Sequence, residues 1–155
     1  MEEREGRIRW AAGFFDGEGT VRIRVSPQPN GSSPRMKLEM AASNTDRRPL
    51  DELRDLFGTQ HKDFYVYRSP LPNRRPVYRW RVAGDRAYRA LREMLPYFRV
   101  KGEQAELAVK FFELPWRGRR GFLPGRPQTE RASRTANEVA TDLDLARQIK
   151  ALKRA

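Results

Sequence analysis

The sequence predicts a mixed α/β domain of the α+β kind, with helices and antiparallel strands in the order αββαββα and further helices toward the C-terminus. Three observations carry that prediction. A helical stretch ending at Gly19 runs directly into a period-two stretch, Thr20–Ser26. Two pairs of alternating segments, 20–26 with 35–40 and 64–68 with 77–82, are each followed by apolar residues at helical spacing, 50–57 and 87–95. Turn-forming residues collect between the members of each pair, at 27–34 and 69–76.

The first helix is the most informative element. Residues 11–19 read Ala-Ala-Gly-Phe-Phe-Asp-Gly-Glu-Gly: an apolar helix that thins to small residues and ends on two acids between glycines. Side chains on a helix follow one another at about 100°. Ile8, Ala11, Phe14 and Phe15 are therefore expected on a core-facing side, and Ala12, Gly13 and Asp16 on a flat surface where a second helix can approach closely. An acid at a helix C-terminus is opposed by the macrodipole. Glu18 thus points to a cation at that end, a divalent metal first. The motif occurs once and the chain has no internal repeat. A second helix of this kind must come from a second copy, a homodimer in which two-fold symmetry sets two Glu18 carboxylates side by side. Magnesium takes such oxygen ligands together with water and substrate phosphate.

The strands follow. In Thr20–Ser26, Val21, Ile23 and Val25 alternate with Arg22, Arg24 and Ser26; in the next, Met36, Leu38 and Met40 alternate with Arg35, Lys37 and Glu39. One face is core and the other carries long polar side chains, which suits either a solvated sheet or a nucleic-acid-facing one. Leu50, Leu53, Leu56 and Phe57 form a helix ending at Gly58, with Pro49 in its first turn and Asn44 or Asp46 as caps. The second pair repeats the pattern, Tyr78, Trp80 and Val82 beneath Arg79 and Arg81. Tyr65 and Tyr67 fit either face. Ala87, Leu91, Met94 and Leu95 mark a third helix, and Leu107, Ala108, Phe111 and Phe112 a fourth over about 103–113, with Lys101 just before it. Residues 1–114 read as the core. Residues 115–155 read as a basic loop, with Trp116, Arg117, Arg119, Arg120, Phe122 and Arg126 suited to phosphate, and then a helix over 130–153 packing back on the same domain.

Composition sets bounds. At 155 residues, 38% of them apolar, there is room for one domain with a real core. The net charge of +12, twice +12 or +24 for two copies, and a pI near 10.8 suit a polyanionic partner rather than a small-molecule substrate. No run of ~20 apolar residues offers a membrane span, and no signal-peptide pattern is seen. The expected location is cytoplasmic and nucleoid-associated, or organellar in a eukaryote. The single histidine, His61, and the absence of cysteine exclude a thiolate or histidine-rich metal site within one chain. No nucleophile elbow and no phosphate-binding glycine loop occurs.

The 11–19 segment resembles the signature of the LAGLIDADG homing endonucleases, with Ala11 where leucine is usual and Phe14, Phe15 and Glu18 as variants. The helix-to-hairpin order agrees. The resemblance implies a homing-endonuclease-like domain whose curved antiparallel sheet lies in the major groove. It implies Glu18 as the metal-binding acid, the Gly17 carbonyl as a further ligand, and Asp16 as a structural residue at the helix pair. Asn44, at the end of the second strand, would stand near the scissile phosphates with Arg47 or Arg48 as a neighbouring cation. Lys101 would project into the active site to activate water or stabilise charge. On residues alone, Asn44 also reads as a turn former and Lys101 as an exposed lysine.

The expected function is Mg²⁺-dependent cleavage of double-stranded DNA at a long, near-palindromic site, with Mn²⁺ substituting and Ca²⁺ supporting binding without cleavage. Arg22, Arg24, Arg35, Lys37, Glu39, Arg79 and Arg81 are the expected DNA contacts, arginine pairing with guanine and Glu39 accepting from cytosine. The rival readings are a non-cutting protein of the same resemblance, an intron splicing cofactor or a transcription regulator, and a generic basic RNA-binding domain.

Overall fold

The first helix, α1, spans Glu2–Glu18, with Glu2, Glu3 and Glu5 complementing its positive N-terminal end. The computed structural model describes residues 2–29, 33–58, 61–116 and 134–153. The buried residues of α1 are Ile8, Ala11, Ala12 and Phe15, the i, i+3, i+4, i+7 set of a helix with one core-facing stripe. This corrects the expected placement of Ala12, which has no exposed surface and lies in the chain's own core. Its small side chain lets α1 sit close on the sheet. Phe14 instead is half-buried and stacks on the exposed Trp10, ring centroids 5.5 Å apart.

Strands β1 (Gly19–Ser26), β2 (Arg35–Asn44), β3 (Phe64–Tyr67) and β4 (Val77–Ala83) form one antiparallel sheet in the order β1-β2-β4-β3. Gly19 stands opposite Ala42 and Arg22 opposite Glu39, while Ala42 faces Trp80 on the other side. β2 is longer than the alternation at 35–40 predicts. It is flanked by a strand on each side, so the small Ala41 and Ala42 are buried although they face opposite ways. Gly19 is required at the turn from α1 into β1, because a Cβ there would overlap the Phe15 ring.

Helices α2 (Arg48–Phe57), α3 (Asp85–Met94) and α4 (Gly102–Phe112) cover the face that carries Trp80, Val82, Leu38 and Met40. α2 ends on Gly58, which adopts φ 60° and donates its N–H to the Arg54 carbonyl. Phe15, Leu50, Leu53, Trp80, Leu91 and Phe111 are fully buried at the centre of this layer. α5 (Ala136–Leu152) is capped by Thr135, whose hydroxyl accepts the Glu138 N–H at 3.2 Å, and it adds Leu145 and Ile149 to the core. α5 packs along β1 and so covers an otherwise open sheet edge. Asp142 on α5 is fully buried, accepts from Trp116 Nε1 at 3.2 Å and pairs with Arg134. Arg134 also donates to the Pro34 carbonyl, tying the helix to the approach of β2. The expected basic phosphate-contacting loop, with Arg117, Arg119, Arg120, Phe122 and Arg126, falls within 117–133 and lies outside the described residues. No described helix is long and apolar enough to cross a membrane.

Candidate active site and nucleic-acid interface

Two acids leave the end of α1 with different duties. The Asp16 carboxylate accepts three successive backbone N–H groups, Arg99 at 2.8 Å, Val100 at 3.1 Å and Lys101 at 2.9 Å. Such a concavity of amides is an anion seat, and here it is filled from within the chain. The Asp16 carboxylate thus ties the end of α1 to the segment entering α4, a structural duty within the chain. The Lys101 ammonium donates back to the Asp16 carbonyl. Burial holds the Lys101 amine below its ordinary value, and the negative charges of Asp16 and Glu18 oppose that shift.

Glu18 and Gly17 are exposed, and a Cβ at Gly17 would meet open space. Among the described residues no group of three His, Cys, Asp or Glu side chains converges. One chain thus offers a divalent cation the Glu18 carboxylate and the Gly17 carbonyl. That fits magnesium, which takes one or two carboxylates and completes its shell with water and phosphate. Lys153, just past α5, joins this corner. Desolvation where α5 closes on β1 pushes its amine down, and the like charges of Arg22 and Lys101 push it further.

Cross-strand partners share a face of the sheet. Arg22 opposes Glu39, Arg24 opposes Lys37, Ser26 opposes Arg35, Ala41 opposes Arg81, and Arg79 opposes both Ser43 and Tyr65. All seven expected contact residues therefore lie on the face away from the helices. Tyr65 and Tyr67 lie there too, 42% and 63% exposed, which resolves the open facing of β3. Arg81 donates to the Tyr65 hydroxyl at 3.1 Å and lies 5.1 Å from the centre of its ring. Glu39 departs from expectation. It is 3% exposed, and its carboxylate is bonded by Arg22 Nε at 2.7 Å, with Arg24 at 3.7 Å and Arg81 at 3.9 Å. It is surrounded by the arginines and is not a free acceptor for cytosine.

Asn44 and Arg47 are bonded elsewhere than to Glu18 or Lys101. The Asn44 side-chain oxygen accepts the Asp46 N–H at 2.8 Å, and Asp46 accepts the Arg48 N–H at 2.9 Å to start α2. Arg47 pairs with Asp51 at 2.9 Å and lies 5.0 Å over Phe64.

No family model matches the chain, and no curated protein matches it. Solved structures do. The homing endonuclease I-CvuI, in complex with its target in the presence of 2 mM Ca, aligns over 98% of this chain and 85% of its own with a TM-score of 0.71 at 17% identity. The archaeal intron-encoded homing endonuclease I-Vdi141I complexed with DNA aligns over 97% and 84%, with a TM-score of 0.70 at 15% identity. The LAGLIDADG homing endonuclease I-GzeII in complex with its DNA target aligns over 93% of this chain but 43% of its own, with a TM-score of 0.60 at 15% identity. The chain has the LAGLIDADG homing endonuclease fold.

Within this LAGLIDADG fold, the exposed side of α1 carries Gly6, Trp10, Gly13 and Gly17, spaced four, three and four apart, and each of the three glycines has open space where a Cβ would stand. A shallow hollow lined by Gly6, Trp10, Arg48 and Pro49 continues that surface onto α2. Of the expected interface residues only Gly13 lies on it. Sequence reasoning missed Trp10, Lys153 and the paired state of Glu39. Glycine spacing could have indicated the first; the other two depend on strand register and on where α5 docks.

Proposed function

We propose that this chain is a site-specific, metal-dependent double-strand DNA endonuclease that acts as a homodimer on a long, near-palindromic site. The observation that carries the reading is the corner where exposed Glu18 and tethered Lys101 adjoin the start of the cationic sheet face. The dimer reading rests on the open glycine and Trp10 side of α1.

In this reading Glu18 and the Gly17 carbonyl of each copy hold Mg²⁺ or Mn²⁺ at the seam. The bound ion supplies Lewis-acid stabilisation of the phosphate and a lowered pKa for water. Lys101, held by Asp16, places its ammonium where negative charge accumulates on the phosphate. Arg22, Arg24, Arg35, Lys37, Arg79 and Arg81 contact DNA in the major groove. Asn44 and Arg47 are assigned to backbone contact beside the corner.

The test is cleavage selection on a library of randomised duplexes with Mg²⁺, followed by sequencing of the cut ends. The expected result is a long, two-fold-related consensus, with Glu18→Gln losing cleavage by orders of magnitude while retaining sequence-specific binding in Ca²⁺. Specific binding without any cutting by the wild-type chain would reassign it as a non-cutting DNA-binding protein. Equal affinity for scrambled duplexes would end the site-specific reading.

A further inference from the structure

Resting on the reading of the cationic sheet face as a base-reading surface, we propose that Glu39 is a specificity-determining positioning residue. It grips Arg22 by the side edge of the guanidinium and so presents the end edge to guanine. Both contacts fall on one carboxylate oxygen, Oε2, with Arg22 Nε at 2.7 Å and Nη2 at 2.6 Å. A guanidinium carries five N–H donors in a fixed fork. The Nε–H donates to Glu39 and Nη2 lies against the same oxygen as an ion pair, so the Nη1 donors and the outer side of Nη2 face away from the carboxylate. That outer pair of nitrogens is the fork that matches guanine O6 and N7 in the major groove.

The arrangement is built by the fold. Arg22 and Glu39 are directly opposed across β1 and β2, which sets their Cβ atoms about 4.5–5.5 Å apart. The other carboxylate oxygen, Oε1, faces Arg24 at 3.7 Å and Arg81 at 3.9 Å. Arg81 is itself braced on Tyr65. One buried acid is thus the common centre of three arginines from three positions on the face. The apolar side of the sheet already fixes its register through Val21, Leu38, Met40 and Val82, so the acid is not needed for pairing. A negative charge at the middle of a surface that meets a polyanion subtracts from attraction. What it supplies in return is order in side chains that otherwise sample many rotamers.

The test compares binding-site selection in Ca²⁺ for the wild-type chain, Glu39→Gln, Arg22→Ala and the double variant, with randomised duplexes as the probe. The Arg22→Ala profile identifies the two symmetry-related base pairs that Arg22 reads. Glu39→Gln is expected to flatten the preference at those same base pairs by about tenfold, within the range one bidentate pair carries. Its affinity for non-specific duplex should be equal or higher, and the double variant no flatter there than Arg22→Ala alone. A Glu39→Gln preference that changes at a different base pair, with the Arg22 positions intact, would show direct readout by Glu39 and overturn the proposal. So would an unchanged profile accompanied by a lower melting temperature. Glu39→Asp keeps the charge but withdraws it by one methylene; it provides the same comparison, with an intermediate flattening expected, should Glu39→Gln fail to fold. A wild-type chain with no base preference removes the functional reading as well; a wild-type preference untouched by Glu39→Gln removes this proposal alone.

Discussion

Asp16 and Lys101 hold each other in both directions: the Asp16 carboxylate accepts the Lys101 N–H at 2.9 Å, and the Lys101 ammonium donates to the Asp16 carbonyl. The last full turn of α1 and the first residue before α4 therefore move as one piece. Glu18 leaves from the same turn as Asp16, so the backbone that carries this acid is held against Lys101.

Asp16→Ala should separate them. It leaves the amides of Arg99, Val100 and Lys101 without their acceptor, and hydrogen bonds to a charged group contribute about 1.5–3 kcal/mol each before water replaces part of the loss. A fall of about 2 kcal/mol in unfolding free energy is expected by urea titration, with cleavage lowered beyond what stability explains. Lys101→Met added to Asp16→Ala should then cost less activity than Lys101→Met in the wild-type chain, as two residues acting together require.

The sequence made the element order legible because it depends on short-range signals. Period-two runs, Gly58 after an apolar helical face, and Pro49 in a first turn each act locally, and the structure places them where the pattern does. Errors came where a distant neighbour decides. On α1, Phe14 carries more hydrophobic weight than Ala12, so a stripe read from side-chain size selects Phe14. Packing against the sheet selects Ala12 instead, since a small residue permits close approach. Glu39 looks like any polar residue on a strand's outer face, and only the register that sets it against Arg22 reveals an internal ion pair. Lys153 comes within electrostatic range of Arg22 and Lys101 only because α5 docks along β1. Asp16 reads as the structural acid and Glu18 as the metal-binding one, but only the fold shows that the amides Asp16 holds are those of Arg99, Val100 and Lys101.

The open side of α1 makes a second prediction. A Cβ at Gly13 meets nothing within 4 Å in the single chain, and Gly13 lies on the exposed side of α1, so a side chain there starts into open space. Gly13→Ala removes a helix-interior glycine, a gain of about 1 kcal/mol in helix propensity. Gly13→Leu blocks the close approach of a second α1. Sedimentation velocity should show Gly13→Leu as a monomer with a helical spectrum like that of the wild-type chain, and double-strand cleavage should disappear with the dimer. A dimeric Gly13→Leu variant with full activity would place the interface elsewhere.

Burial is the main cause of the lowered pKa of Lys101. Its folded value lies below the 10.5 of an ordinary lysine. Between those two values the unfolded chain carries a proton that the folded chain has released, so stability attributable to this group rises with pH across that window. Below the folded value both states are protonated and the desolvation penalty is fully present. Lys101→Met removes the penalty along with the hydrogen bond to Asp16, so its stability relative to the wild-type chain should be most favourable near neutral pH and decline as pH rises through the window. Cleavage should follow the opposite logic. An ammonium that stabilises phosphate charge acts only while protonated, so the wild-type rate should fall as pH passes the folded value. Glu18 helps to hold that proton in place, so Glu18→Gln should move the Lys101 titration lower. NMR of the lysine side chain across an alkaline series measures this directly, and an unshifted Lys101 in Glu18→Gln would show that the two groups do not share one site.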